Sequence, residues 1–319
     1  MWNRLGKTLL KAREVMEICS VKTPDRYYGR KISSFLPCHN ELWQWHLNLS
    51  VRGKLDELGS RFYLGLVNDK IISNVSTWEY GPIGIVGHLF TLENHRGKGA
   101  CTALMNTQIQ DFRNRGGKIL IGGFKPSSYP IAKRLGFKSI TDNSEVMRYN
   151  LFPRFENEYF EAKKAFCRDS MWKDWPGVSL LFGIKEGWHL RSIKHKIFGP
   201  FDYEDYFLED MQERLKGLCA SKVLVTEEGN IVGYSTLTFM NHAKDGVYML
   251  DLFIHPKSIF YAYTMLESMR FPKGKTRCYV EPSCREKLDI LLRFGFKERA
   301  VRKLTKQDRK ALEPVAMEF

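Results

Sequence analysis

Arg96-Gly97-Lys98-Gly99-Ala100-Cys101 (RGKGAC) stands between an apolar run, Ile83–Leu92 (IGIVGHLFTL), and the stretch Gly99–Arg113 (GACTALMNTQIQDFR). The run has strand length. In the stretch that follows, Leu104, Ile109 and Phe112 recur at helical intervals. The hexamer is therefore expected on a strand-to-helix turn. Glycines at 97 and 99 let successive backbone N–H groups converge on one point, and a helix N-terminus adds partial positive charge there. Arg96 and Lys98 add full positive charges. Such a turn has the chemistry to hold a diphosphate, chiefly through its main chain.

Working outward, Lys118–Phe124 (KILIGGF) is a second apolar run of strand length. Beyond it comes Ala132-Lys133-Arg134-Leu135-Gly136-Phe137. The order is strand, Arg-x-x-Gly loop, helix, strand, short helix, Leu-Gly-Phe turn, strand. In loop, order and ending this resembles the GNAT superfamily of N-acyltransferases, whose coenzyme A pyrophosphate loop reads Arg-x-x-Gly-x-Gly/Ala. The chain departs from the pattern at Cys101, where Gly or Ala is usual, and at Glu93, where Pro is common.

At 319 residues the length suggests about two domains. An internal repeat supports this. Ile72–Trp78 matches Ile231–Leu237, and Leu135-Gly136-Phe137 matches Phe294-Gly295-Phe296, both at an offset of 159. Leu89–Glu93 matches Leu252–Pro256 at an offset of 163. The expectation is an α/β chain of two tandem GNAT-like domains, residues 1–155 and 156–319. Each is a mixed, mostly antiparallel sheet flanked by helices. In the second copy the slots of Arg96, Gly97, Lys98 and Gly99 hold Ile259, Phe260, Tyr261 and Ala262. Without glycine or cation there, this copy is expected to be degenerate and to bind no coenzyme A.

Composition is that of an ordinary globular protein, 43% hydrophobic and 27% charged. No run of 18 apolar residues appears, so no membrane span is expected. Seven cysteines lie scattered without zinc-site spacing, which points to free thiols in a reducing, cytoplasmic setting and to no metal. The net charge of +14 suits an anionic cofactor. No basic run of five and no nucleic-acid motif occurs, so nucleic acid is not the expected partner. Met1–Arg13 carries basic residues, no acidic ones, and Trp2, Leu5, Leu9 and Leu10 at helical spacing. It reads as a helix packed on the domain, with a presequence or a membrane-surface helix as alternatives. Nothing in the sequence gives the oligomeric state.

The resemblance implies direct acyl transfer from acetyl-coenzyme A. In that scheme Leu89, Phe90 and Thr91 offer backbone groups to the pantetheine arm and thioester, and Arg96, Gly97, Lys98, Gly99, Ala100 and Cys101 hold the diphosphate. A base takes the proton of the acceptor amine, and an acid protonates the thiolate. The family's usual Tyr slot is Ala132, and its frequent Asn is Lys125. That leaves His88 or Glu79 as candidate base and Tyr129, one turn earlier, as candidate acid. The segment Leu42–Leu49, with the aromatic run Trp43–His46, is a candidate wall for the acceptor. Further aromatic density lies at Trp172–Trp175 and Trp188. Three activities stay open: N-acetylation of a small-molecule amine, S-acyl transfer or decarboxylation of a carrier-bound thioester, and non-catalytic acyl-coenzyme A binding.

Overall fold

Val15–Lys22, Gly59–Val67 and Lys70–Tyr80 alternate large apolar residues between two faces, and each forms a strand in the computed structural model. The model describes residues 1–11, 13–37, 40–140, 145–184, 191–193, 196–198, 205–240, 246–299 and 315–319. Cys38, His39 and Trp188 fall outside these residues. The chain divides into two compact units, Met1–Phe155 with Met171–Pro176, and Glu156–Ser170 with Gly177–Phe319.

The first unit contains β1 (Trp2–Leu9), β2 (Val15–Lys22), α1 (Arg26–Phe35), α2 (Glu41–Val51), β3 (Gly59–Val67), β4 (Lys70–Tyr80) and β5 (Ile83–Thr91). After the hexamer come α3 (Ala100–Asn114), β6 (Ile119–Gly123), α4 (Tyr129–Arg134), β7 (Lys138–Ser139) and β8 (Val146–Asn150). The sheet order is β1-β2-β3-β4-β5-β6-β8-β7. Only β5 and β6 pair in parallel among these neighbours. Alternation on β3 divides the core. Tyr63 joins Leu104, Met105, Ile109 and Phe112 of α3 on one side. Phe62 and Leu64 join Ile32 and Leu36 of the α1 region and Leu47 of α2 on the other.

Residues 1–13 do not form the expected helix. They supply β1, paired antiparallel with β2 from Trp2↔Val21 to Leu9↔Val15. The open edge of β2 decides the matter. Pairing brings Arg4 and Lys7 to Glu17 at 2.5 and 2.9 Å, and Leu5 packs on the core. Gly6, which costs a helix roughly 1 kcal/mol relative to Ala, sits mid-segment.

The β4–β5 ladder is broken at one place. Asn74 pairs with Phe90 and Ser76 with Gly87, so His88 and Leu89 together face Val75. This is a β-bulge on β5, with His88 at a φ of 46°. On its other edge β5 pairs with β6 over Ile83–Ile85 only. Among the described residues the register of this parallel pair ends at Ile85↔Ile121.

The second unit repeats the plan. Between the two sheets the chain forms α5 (Phe155–Tyr159), and the second sheet begins at β9 (Ala165–Asp169). Then come α6 (Trp175–Phe182), a small ribbon of β10 (Arg191–Ile193) and β11 (Lys196–Phe198), and α7 (Tyr206–Leu215). The sheet continues with β12 (Cys219–Thr226), β13 (Ile231–Met240) and β14 (Val247–Ile254). It closes with α8 (Ala262–Ser268), β15 (Lys275–Val280), α9 (Arg285–Phe294), β16 (Lys297–Arg299) and β17 (Val315–Glu318). Its order is β16-β17-β15-β14-β13-β12-β9, with β14 and β15 the parallel pair. The two mixed sheets with their flanking helices form the expected tandem α/β architecture.

Shared details go down to single bonds. The Phe137 and Phe296 amides donate to Ala132 and Leu291, both at 3.0 Å, around left-handed Gly136 and Gly295. The Leu92 and His255 amides donate to Ile72 and Val232, both at 2.9 Å. This last pair corrects the sequence alignment of Ile72 with Ile231 by one residue. The reason is a longer turn. β3 and β4 close from Val67↔Lys70 around Asn68-Asp69, whereas Thr226 bonds Asn230 around Glu227-Glu228-Gly229. One feature is not shared: β13 and β14 pair in unbroken register from Gly233↔Ile254 to Met240↔Val247.

Candidate functional site

A single helical turn, Glu93–His95, leads from β5 into the hexamer. Gly97 and Gly99 adopt φ of 72° and 95°, the left-handed region that favours glycine. Gly99 is the N-cap of α3, and no side chain caps that end. A Cβ built at either glycine meets no protein atom within 4 Å. The first turn of α3 therefore starts from a glycine-lined bend with no side-chain cap, an anion-binding geometry.

The turn opens on a cavity of about 760 Å³. Leu89, Phe90 and Thr91 of β5 form one wall, with Arg96, Gly97, Gly99, Ala100 and Cys101 along the turn. Of the expected cofactor residues only Lys98 is missing from this lining. Its ammonium lies 3.5 Å from Glu14, and its carbonyl accepts from the Lys11 amide at 3.2 Å. The β1–β2 connection thus takes the Lys98 charge and presents Lys11 to the cavity in exchange.

Lys11, Arg96, Lys125 and Arg134 give the cavity its charge, and no carboxylate stands among its described lining residues. Arg96 is steadied by its Nε, which donates to the Thr91 carbonyl at 3.1 Å. Burial pushes the Cys101 thiol up to about 11, so it stays a neutral thiol beside the turn. The described lining is thus positive in balance, which suits an anionic ligand.

The candidate catalytic residues are not brought together. Glu79 lies near the far end of β4 from the hexamer. Arg115, just past the C-terminus of α3, grips both its oxygens at 2.5 and 2.9 Å, and Arg61 lies 3.6 Å away. This carboxylate is engaged in an ion-pair network outside the cavity lining. Tyr129 and His88 are also outside that lining. The Tyr129 side of α4 packs on the core, and the Tyr129 hydroxyl shares a hydrogen bond of 2.8 Å with Ser139. Ser128, Ile131 and Arg134 form the cavity face of that helix instead. His88 sits on the bulge, immediately before Leu89 of the cavity wall. Its ring lies 5.4 Å from Trp43 and 5.2 Å from Trp78.

These rings belong to a larger cluster inside the first unit. Trp78 is fully buried, donates its Nε1 to Ser50 Oγ at 2.8 Å, and lies 6.1 Å from Trp43 and 5.6 Å from Trp175. His46 is enclosed by Trp43, Trp78, Trp172 and Trp175 at 4.9 to 5.8 Å. Burial, helped by nearby His88, pushes its pKa well below the usual imidazole range, so the ring is neutral. The aromatic face of Leu42–Leu49 is thus spent on packing at Trp43 and His46.

Sequence reasoning missed Lys11, His95, Thr102, Asn106, Ser127 and Ser128 of the lining. For α3 the signal was present. Thr102, Ala103 and Asn106 share one helical face, which continues the phase set at Gly99. For Lys11 none existed once its segment was read as a helix. Among the described residues no group of three His, Cys, Asp or Glu is placed to hold a metal.

Residues 25–137, about a third of the chain and all within the first unit, match the model of the Acetyltransferase (GNAT) family. The resemblance carried by the hexamer holds for this region. No curated protein sequence matches the chain. Among solved structures, a GNAT superfamily phosphinothricin acetyltransferase from Sinorhizobium meliloti, in complex with AcCoA, is 14% identical. It aligns over 49% of this chain and 87% of its own, with a TM-score of 0.37. A GNAT family N-acetyltransferase from Escherichia coli, in complex with CoA, is 14% identical over 42% of this chain and 83% of its own, TM-score 0.34. A conserved protein of unknown function from Enterococcus faecalis, described as a probable N-acyltransferase, is 13% identical. It spans 79% of this chain and 62% of its own, with a TM-score of 0.36.

Proposed function

We propose that the first unit binds acetyl-coenzyme A and transfers the acetyl group directly to a primary amine of a small molecule. One observation carries the reading: an uncapped, glycine-lined helix N-terminus opens on a cation-lined cavity whose described residues include no carboxylate. In this reading the first-turn amides of α3 and Arg96 hold the diphosphate, with Lys11, Lys125 and Arg134 balancing the remaining phosphate charge. The pantetheine arm lies along Leu89, Phe90 and Thr91, beyond the last register pair of β5 with β6. His88 is the base that relieves the acceptor of its proton. The thiolate takes its proton from solvent, since the Tyr129 hydroxyl is held by Ser139. Much of the rate then comes from placing amine and thioester together.

The second unit takes no coenzyme A in this reading, since its β13–β14 register is unbroken and the hexamer slots are apolar. Among the described residues no helix is long and apolar enough to cross a membrane, and we assign the chain to the cytoplasm.

The test is release of the free coenzyme A thiol from acetyl-coenzyme A, with and without a panel of amines. Amine-dependent release supports transfer. Binding without release under any amine supports the second reading, a binding module, which the lack of a tyrosine among the cavity's described lining residues favours. With an acceptor in hand, His88→Ala is expected to lower kcat by about a hundredfold or more, the usual effect of a lost general base. The loss should shrink as pH rises and free amine accumulates. Near-native turnover of this variant would remove His88 from the mechanism.

A further inference from the structure

The bulge on β5 needs something to hold it. Where the ladder skips, His88 lies outside the register pairs with β4, and it stands at a φ of 46°, a left-handed conformation that strains a non-glycine residue. Asn74 answers both problems. It is fully buried, and its side-chain Nδ2 donates to the His88 carbonyl at 2.8 Å and to Ser76 Oγ at 3.0 Å. A side-chain amide thus ties the bulge to β4.

The second unit supplies an internal control. Its residue equivalent to Asn74 is Tyr234, which pairs with Phe253 as Asn74 pairs with Phe90. Tyr234 sends its hydroxyl away to Asp210, at 2.8 Å. Tyrosine carries no side-chain amide, and the ladder there runs without a bulge from Gly233↔Ile254 to Met240↔Val247. The same fold therefore carries the bulge where the Asn is present and lacks it where the Asn is replaced. Neither conserved packing nor topology accounts for that difference, because the bulge at Ile72 and its counterpart at Val232 are common to both copies.

We infer that Asn74 is a positioning residue. It pins the His88 carbonyl and so turns the Leu89 and Phe90 backbone toward the arm of an acyl-coenzyme A bound as proposed above. The inference rests on that assignment of the cavity. It separates the ligand into two parts: the phosphorylated adenosine end, held by the hexamer, and the pantetheine end, held by the bulge.

Calorimetry with acetyl-coenzyme A and with adenosine 3′,5′-bisphosphate, which lacks the pantetheine arm, distinguishes the parts. The variants are Asn74→Leu, close in volume but without a donor, and Asn74→Ala in case the first does not fold. Each is checked by its melting curve. The expected result is a loss of about tenfold or more in affinity for acetyl-coenzyme A, the equivalent of one well-placed hydrogen-bonded contact, with affinity for the bisphosphate within about twofold of the parent. Equal losses for both ligands, or no loss for either, in a folded variant would overturn the role of Asn74. Failure of the parent chain to bind either ligand would instead overturn the assignment of the cavity.

Discussion

Gly99→Val is expected to bind acetyl-coenzyme A at least about a hundredfold more weakly than the parent while keeping its fold; a loss of that size corresponds to roughly 2.7 kcal/mol. Two effects combine. Valine resists the φ of 95° that Gly99 adopts, at a cost of about 1–3 kcal/mol, so the turn shifts or stays strained. Its side chain also projects where no protein atom lies within 4 Å, at the mouth of the helix amides. Gly116→Val makes the comparison clean. Gly116 has a similar φ of 88° and equally open surroundings, but it lies past the opposite end of α3. It should lose comparable stability and no affinity. Equal affinities for the two variants would show that the hexamer does not contact the ligand.

Trp78→Ala is expected to destabilise the first unit by about 3–5 kcal/mol, the range for deleting a large buried aromatic. The indole has no exposed surface, and its neighbours Trp43, His46, His88 and Trp175 cannot all collapse into the space it leaves. Ser50 Oγ, also buried, loses its donor. Denaturant unfolding followed by near-ultraviolet dichroism reads this as an early transition of the first unit. Trp45→Ala, on α2 and only half-buried, serves as the milder control. A loss below about 1 kcal/mol for Trp78→Ala would contradict the packing described for the cluster.

The strand, turn and helix around the hexamer were legible because their signals are local. Apolar runs marked β5 and β6, the 3.6-residue phase marked α3, and paired glycines marked the turn before it. The tandem plan was legible because the Leu-Gly-Phe turn recurs. What escaped was set by distant partners. β1 is a strand because β2 offers it an edge, which no local pattern in Met1–Arg13 encodes. Lys98 turns from the cavity because Glu14, far away in sequence, holds it. Glu79 and Tyr129 have the right chemistry for proton transfer, but Arg115 and Ser139 claim them. The bulge that sets His88 apart is tied by one amide, that of Asn74 on the neighbouring strand, and the residue equivalent to Asn74 in the second unit, Tyr234, was hidden by a turn one residue longer.

The most direct test of the central claim is the stoichiometry of acetyl-coenzyme A binding to the full chain by calorimetry. One molecule per chain, lost together with the hexamer in Gly99→Val, is the predicted result. Two per chain, or one that persists undiminished in Gly99→Val, would contradict a single cofactor site at the Arg96–Cys101 turn.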